Sequence, residues 1–88
     1  SMSSNNVITS NTCNANDVGI NSAFSNNNII TGNTCIRGTG ESSDYTSSQY
    51  TIKLSSYCSA NLIVGNLIMG KNYVDSGTNN TFANNKYQ

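Results

Sequence analysis

The chain has 88 residues, enough for one domain, and a formal net charge of zero with only 9% of residues charged. Its four scattered cations leave no electrostatic footprint for nucleic acid or an anionic membrane, so neither partner is expected. Histidine is absent, which removes any Ser-His-Asp arrangement, and no run of about eighteen apolar residues exists to span a bilayer.

Asn, Ser and Thr dominate. Disordered chains usually combine high net charge with few β-branched and aromatic residues. Here net charge is zero while Ile, Val, Thr and Tyr recur, so the composition predicts a folded chain.

At the start, Ser1-Met2 reads as the remnant of an expression tag, and no secretory leader follows it. The expectation is an excised piece of a longer protein. The first informative phrase is Asn6-Val7-Ile8-Thr9-Ser10-Asn11-Thr12-Cys13, an apolar pair inside an asparagine frame. It returns as Asn28-Ile29-Ile30-Thr31-Gly32-Asn33-Thr34-Cys35 and as Asn61-Leu62-Ile63-Val64-Gly65-Asn66-Leu67-Ile68. A degraded form closes the chain, Asn80-Thr81-Phe82-Ala83-Asn84-Asn85-Lys86-Tyr87. The second asparagines lie 22, 33 and 19 residues apart. A fixed period near twenty residues is the signature of a stacked solenoid.

Between the frames lie further strand candidates: Asp17-Val18-Gly19-Ile20-Asn21, Tyr50-Thr51-Ile52-Lys53-Leu54-Ser55 and Asn72-Tyr73-Val74-Asp75. The alternation from Tyr50 to Ser55 has period two, as in a half-buried strand. No segment carries a helical stripe. The reading is therefore all-β, with two short strands per copy. The copies run over about 3–24, 25–57 with an inserted loop 37–49, 58–77, and a partial 78–88.

Period two also assigns faces. Counting from Asn28 gives Ile30; a corner resets the phase, and Asn33 and Cys35 follow. These four are expected inside, with Asn61, Ile63, Asn66 and Ile68 stacked on them. Buried amides are costly unless bonded. Stacked asparagines can bond to one another and to the turn backbone, as in cross-β ladders. The same count places Val7, Ile29 and Leu62 outside, flanked by Thr9, Thr31 and Val64. A contiguous apolar stripe on an outer wall calls for a partner, so Val7, Ile29, Leu62 and Val64 are the interface candidates.

Cys13 and Cys35 hold the same position of successive copies, about 4.8 Å apart if stacked. That separation is within Cα range for a disulfide. Ile68 takes that position in the third copy, which favours small apolar core residues instead. Cys58 falls at the position of Ser25. No metal site is read, because there is no close cysteine pair.

At this point the residues resemble a known architecture. The phrase Ser25-Asn26-Asn27-Asn28-Ile29-Ile30-Thr31-Gly32-Asn33-Thr34, preceded by a short strand ending Gly19-Ile20-Asn21, resembles the coils of right-handed parallel β-helices. These are the pectate-lyase-like folds, which include bacteriophage tailspikes and appendages. The leucine-rich repeat, the competing solenoid, demands a phrase that this chain lacks. The resemblance implies a β-helix of about three to four rungs within a longer helix, placed on a virion, outside the cell or on its surface. It further implies a homotrimer, and contact with host-surface polysaccharide. It carries no cofactor. The chain shows neither the calcium-binding aspartate cluster nor the catalytic arginine motif of the lyases, so no catalytic residue is carried over.

The inserted loop is the place for chemistry, since loops on one side of a solenoid often bind. Arg37, Glu41, Asp44, Tyr45 and the adjoining Tyr50 are the ligand-binding candidates. Glu41 and Asp44 could serve as the paired carboxylates of a glycosidase, with Asp17 or Asp75 as further acids; a flexible polar loop is the plainer reading. Three functions follow as expectations. The first is a structural and adhesive fibre segment without activity of its own. The second is part of a polysaccharide hydrolase or lyase. The third is an assembly or capping module closed by the last copy. Asn79-Asn80-Thr81 matches a glycosylation sequon, which a bacterial or phage origin would leave unused.

Overall fold

The computed structural model describes residues 4–14, 18–37, 50–70 and 73–87. Among them are eleven short strands and no helix. In chain order these are β1 (Val7–Thr9), β2 (Thr12–Asn14), β3 (Val18–Ser22), β4 (Ile29–Thr31), β5 (Thr34–Arg37) and β6 (Tyr50–Leu54). They continue as β7 (Leu62–Val64), β8 (Leu67–Gly70), β9 (Val74–Asp75), β10 (Thr81–Ala83) and β11 (Lys86–Tyr87).

Every strand pairing is parallel, and the pairs form three sheets: β1-β4-β7-β10, β2-β5-β8-β11 and β3-β6-β9. A parallel pair needs a long return path between its strands. Here each return is the rest of one repeat copy, so equivalent residues come to lie above one another. The result is a solenoid-like stack. Val7 pairs with Ile29, Ile29 with Leu62, and Leu62 with Thr81.

The expected two strands per copy are three. The asparagine frame holds two short strands separated by a bend, as in β4 and β5, and the intervening segment supplies the third. The cause is backbone conformation. Ser10, Gly32, Gly65 and Asn84 all take positive φ, between 54° and 69°, immediately before Asn11, Asn33, Asn66 and Asn85. Asn5, Asn27, Ala60 and Asn79 do the same before Asn6, Asn28, Asn61 and Asn80. A left-handed residue turns the chain out of one sheet and into the next. Glycine and asparagine adopt it at least cost, which explains their recurrence at these two columns.

The interior is a set of stacked columns. Ile8, Ile30, Ile63 and Phe82 form one; Cys13, Cys35 and Ile68 form a second, with the exposed Tyr87 in register at its end. Ile20 under Ile52 and Ser22 under Leu54 line the third side. Ile30, Ile52, Leu54, Ile63 and Ile68 are fully buried. At the C-terminal end Tyr73 stacks on Phe82, with centroids 3.9 Å apart, and tilts against Tyr87.

Asn28, Asn33, Asn61 and Asn66 are buried with Ile30, Cys35, Ile63 and Ile68, on the face that the period-two count gave them. Their amides form two directional ladders. Asn33 donates its backbone N–H and its Nδ2 to Oδ1 of Asn66, both at 3.0 Å. Asn66 donates likewise to Asn85 Oδ1 at 2.9 and 3.0 Å, and Asn11 to Asn33 Oδ1 at 3.0 and 3.1 Å. Each Nδ2 also reaches back to the copy below: Asn33 to Ile8 O, Asn66 to Ile30 O, and Asn85 to Ile63 O. At the other corner Asn6, Asn28 and Asn61 donate their N–H groups to Oδ1 of Asn28, Asn61 and Asn80. A corner backbone N–H buried without water must find a partner, and asparagine supplies it from the adjacent copy.

Candidate functional site

The candidate residues of the inserted loop separate into two groups. Glu41, Asp44 and Tyr45 lie outside the described residues, as does Asp17. Arg37 closes β5, where its backbone pairs with Gly70. Tyr50 opens β6, half-buried and in register with Val18.

The interface candidates form one column. Val7, Ile29 and Leu62 stack in register on the outer wall of the first sheet. They are 61%, 38% and 38% exposed, large fractions for side chains of this kind. Val64 sits one column along, half-buried between Thr31 below and Ala83 above. The column arises because alternation in a three-residue strand turns only its central residue inward.

Asp75 has a local structural use. Its Oδ1 accepts from the Gly77 N–H at 2.9 Å and from Asn80 Nδ2 at 3.0 Å. In the copy below, the matching Nδ2 of Asn61 donates to Asn80 Oδ1 at 2.9 Å. Asp75 thus takes over the role of the next asparagine at that corner.

Sequence reasoning passed over one surface feature. Phe24 and Tyr57 lie on the same corner of successive copies and stack with centroids 4.9 Å apart and planes 10° apart. Both are exposed. The available signal was positional: each precedes a buried asparagine, Asn28 or Asn61, by four residues. Beside this corner an uncharged cleft of about 510 Å³ opens between Asn6, Ile8 and Asn28 on one side and Asn21, Ser22, Ala23 and Ser25 on the other.

The cysteines are free thiols. Cys13 and Cys35 are in register across β2 and β5. Burial, reinforced by the Cys13 thiol beside it, pushes the Cys35 thiol up to about 12. Cys35 is accordingly protonated and unreactive at neutral pH. The Cys58 thiol donates to Ser22 O at 3.2 Å and shares a hydrogen bond with Ser55 Oγ. Among the described residues no group of three or more His, Cys, Asp or Glu could hold a metal ion, and no helix is long and apolar enough to cross a membrane.

Comparison of the chain with protein-family models, with curated proteins and with solved structures finds no match in any of the three.

Proposed function

We propose that the stack is a right-handed parallel β-helix of three to four rungs within a longer fibre. Its work is structural and adhesive: a shaft segment of a homotrimeric appendage on a phage virion or bacterial surface, whose walls and inserted loop touch host-surface glycan. The observation that carries this reading is the exposed apolar column Val7, Ile29 and Leu62 on the outer wall of the first sheet. An exposed apolar strip of this kind marks an association surface. The amide ladders add a regularly repeating shaft, which suits repeated lateral contact between identical chains.

Energetics sets the scale. The three side chains are already about half buried, so covering the remainder contributes roughly 1 kcal/mol each. Association costs about 4–15 kcal/mol. The column alone does not hold a trimer, and Val64, the loop and the tyrosines must add contacts.

Sedimentation equilibrium over a concentration series tests the proposal. A stable species of three 9.4 kDa chains is expected. Ile29→Lys with Leu62→Lys should return it to monomer without loss of strand content. A folded monomer of the unaltered chain at high concentration would refute the trimeric fibre.

A further inference from the structure

We infer that the Phe24–Tyr57 corner is a binding ledge for a neutral pyranose ring. The inference rests on the glycan-contact part of the proposal above, and it assigns that contact to residues outside the inserted loop.

The first observation is an unexplained cost. Phe24 has φ +53°. Among the described residues, the other positive-φ residues that are not glycine all belong to the two corner columns preceding ladder asparagines; Phe24 belongs to neither. A bulky residue in the left-handed region is strained. Its ring is not rewarded by burial, being 50% exposed, and its stacking partner Tyr57 is 67% exposed. One exposed ring stack gains about as much as such strain loses. Stability does not account for the arrangement, whereas a use for the ring surface does.

The second observation is the shape of the corner. Ser22 pairs with Leu54, and Leu54 with Asp75; Asn26 bridges to Ser59, and Ser59 to Thr78. Between these fixed points lie three residues in the first copy (23–25), four in the second (55–58) and two in the third (76–77). The third corner is drawn in tightly: a Cβ on Gly77 would collide with the Cys58 carbonyl. The stack therefore steps inward above Tyr57. The upper side of that ring has no counterpart in the next copy, and the notch continues the aromatic column at the spacing of the strands.

The chemistry of the notch selects the ligand. An aromatic face is electronegative, so it attracts the polarised C–H groups on the axial-hydrogen face of a sugar such as β-glucopyranose. The corner segments 23–25, 55–58 and 76–77 contain no charged residue. At the step, the exposed Asp75 carboxylate is held by Gly77 N–H and Asn80 Nδ2. A fixed carboxylate accepts from sugar hydroxyls and repels uronates or sulfated sugars. Ser56 and Ser76 lie on the same corner segments, both exposed, as further hydroxyl groups.

The test is a two-dimensional amide NMR titration of the 88-residue chain with neutral gluco-, manno- and galacto-oligosaccharides, and with an oligogalacturonate. Neutral oligosaccharides should shift Phe24, Tyr57, Ser76 and Gly77 at millimolar concentration, and the galacturonate should not. Tyr57→Ala should weaken binding about tenfold or more, while Tyr57→Phe retains it. Phe24→Gly should lose binding with an unchanged or higher melting temperature, since it relieves the strain. Shifts that map elsewhere and survive Tyr57→Ala would overturn the ledge and leave glycan contact standing. Absence of binding by all three neutral probes would overturn both. Concentration-dependent shifts without sugar, abolished by Tyr57→Ala, would make the corner a self-contact and overturn the sugar assignment.

Discussion

Replacing Asn66 with leucine removes the best-connected amide of the ladder while nearly conserving its shape. The Asn66 side chain takes part in five hydrogen bonds: two received from Asn33, and three donated to Ile30 O, Val64 O and Asn85 Oδ1. Asn33 N–H has no other partner, and Asn33 is 1% exposed, so water cannot replace the loss. Asn33 Nδ2 keeps its bonds to Ile8 O and Thr31 O. Asn85 Oδ1 keeps the Asn66 N–H. The Ile30 carbonyl keeps its place in the parallel ladder between β4 and β7, so the uncompensated group is the Asn33 N–H. A buried donor left unpaired costs about 1–3 kcal/mol. A loss of roughly 1–3 kcal/mol follows, a sizeable share of the stability of a small domain. Asn11→Leu, at the exposed end of the same column, removes only two exposed or half-exposed bonds. It should cost less than about 1 kcal/mol. Urea unfolding followed by far-ultraviolet circular dichroism measures both. A loss below about 1 kcal/mol for Asn66→Leu would refute the reasoning, because the ladder would then be incidental to stability.

Two further predictions follow from single positions. Ala60 is the one member of its corner column that is not asparagine, at φ +58°, so Ala60→Asn should stabilise by about 0.5–1 kcal/mol, read as a higher urea midpoint. The raised Cys35 thiol sets a pH dependence: the folded state keeps a proton that the unfolded state releases above about pH 9, the ordinary value for a thiol. Stability is therefore fully present below that pH and falls by about 1.4 kcal/mol per pH unit as pH rises towards 12. Cys35→Ala should flatten this alkaline slope relative to the unaltered chain, and an identical slope would contradict the assignment.

Much of the stack was legible because its repeat and its alternation are carried by a few residue types. Asn28, Asn33, Asn61 and Asn66 could be placed inside from period two and from the cost of burying unpaired amides. Val7, Ile29 and Leu62 could be placed outside by the same count. The division of each asparagine frame into two strands was less legible. It depends on the left-handed φ of Ser10 and Ala60 as much as on that of Gly32 and Gly65, and serine and alanine give no warning of it. The Phe24–Tyr57 stack escaped because pairing of the two rings depends on register across copies, and alternation within one strand says nothing about corners. The role of Asp75 escaped for a similar reason: it acts on Asn80 five residues away through a corner. The inserted-loop candidates Glu41, Asp44 and Tyr45 lie outside the described residues, so their reading rests on the sequence.

The ladder is the feature on which both the stack and the proposed shaft depend, and it can be observed directly. Scalar couplings through hydrogen bonds, measured by NMR on the isotopically labelled chain, connect a donor nitrogen to the carbon bearing its acceptor oxygen. The account predicts that the backbone nitrogens of Asn28 and Asn33 couple to the side-chain carboxamide carbons of Asn61 and Asn66. Their amide protons should also be among the slowest to exchange. Rapid exchange at Asn28 and Asn33, or coupling only to neighbours within the same copy, would contradict the stacked ladder and the fibre shaft built on it.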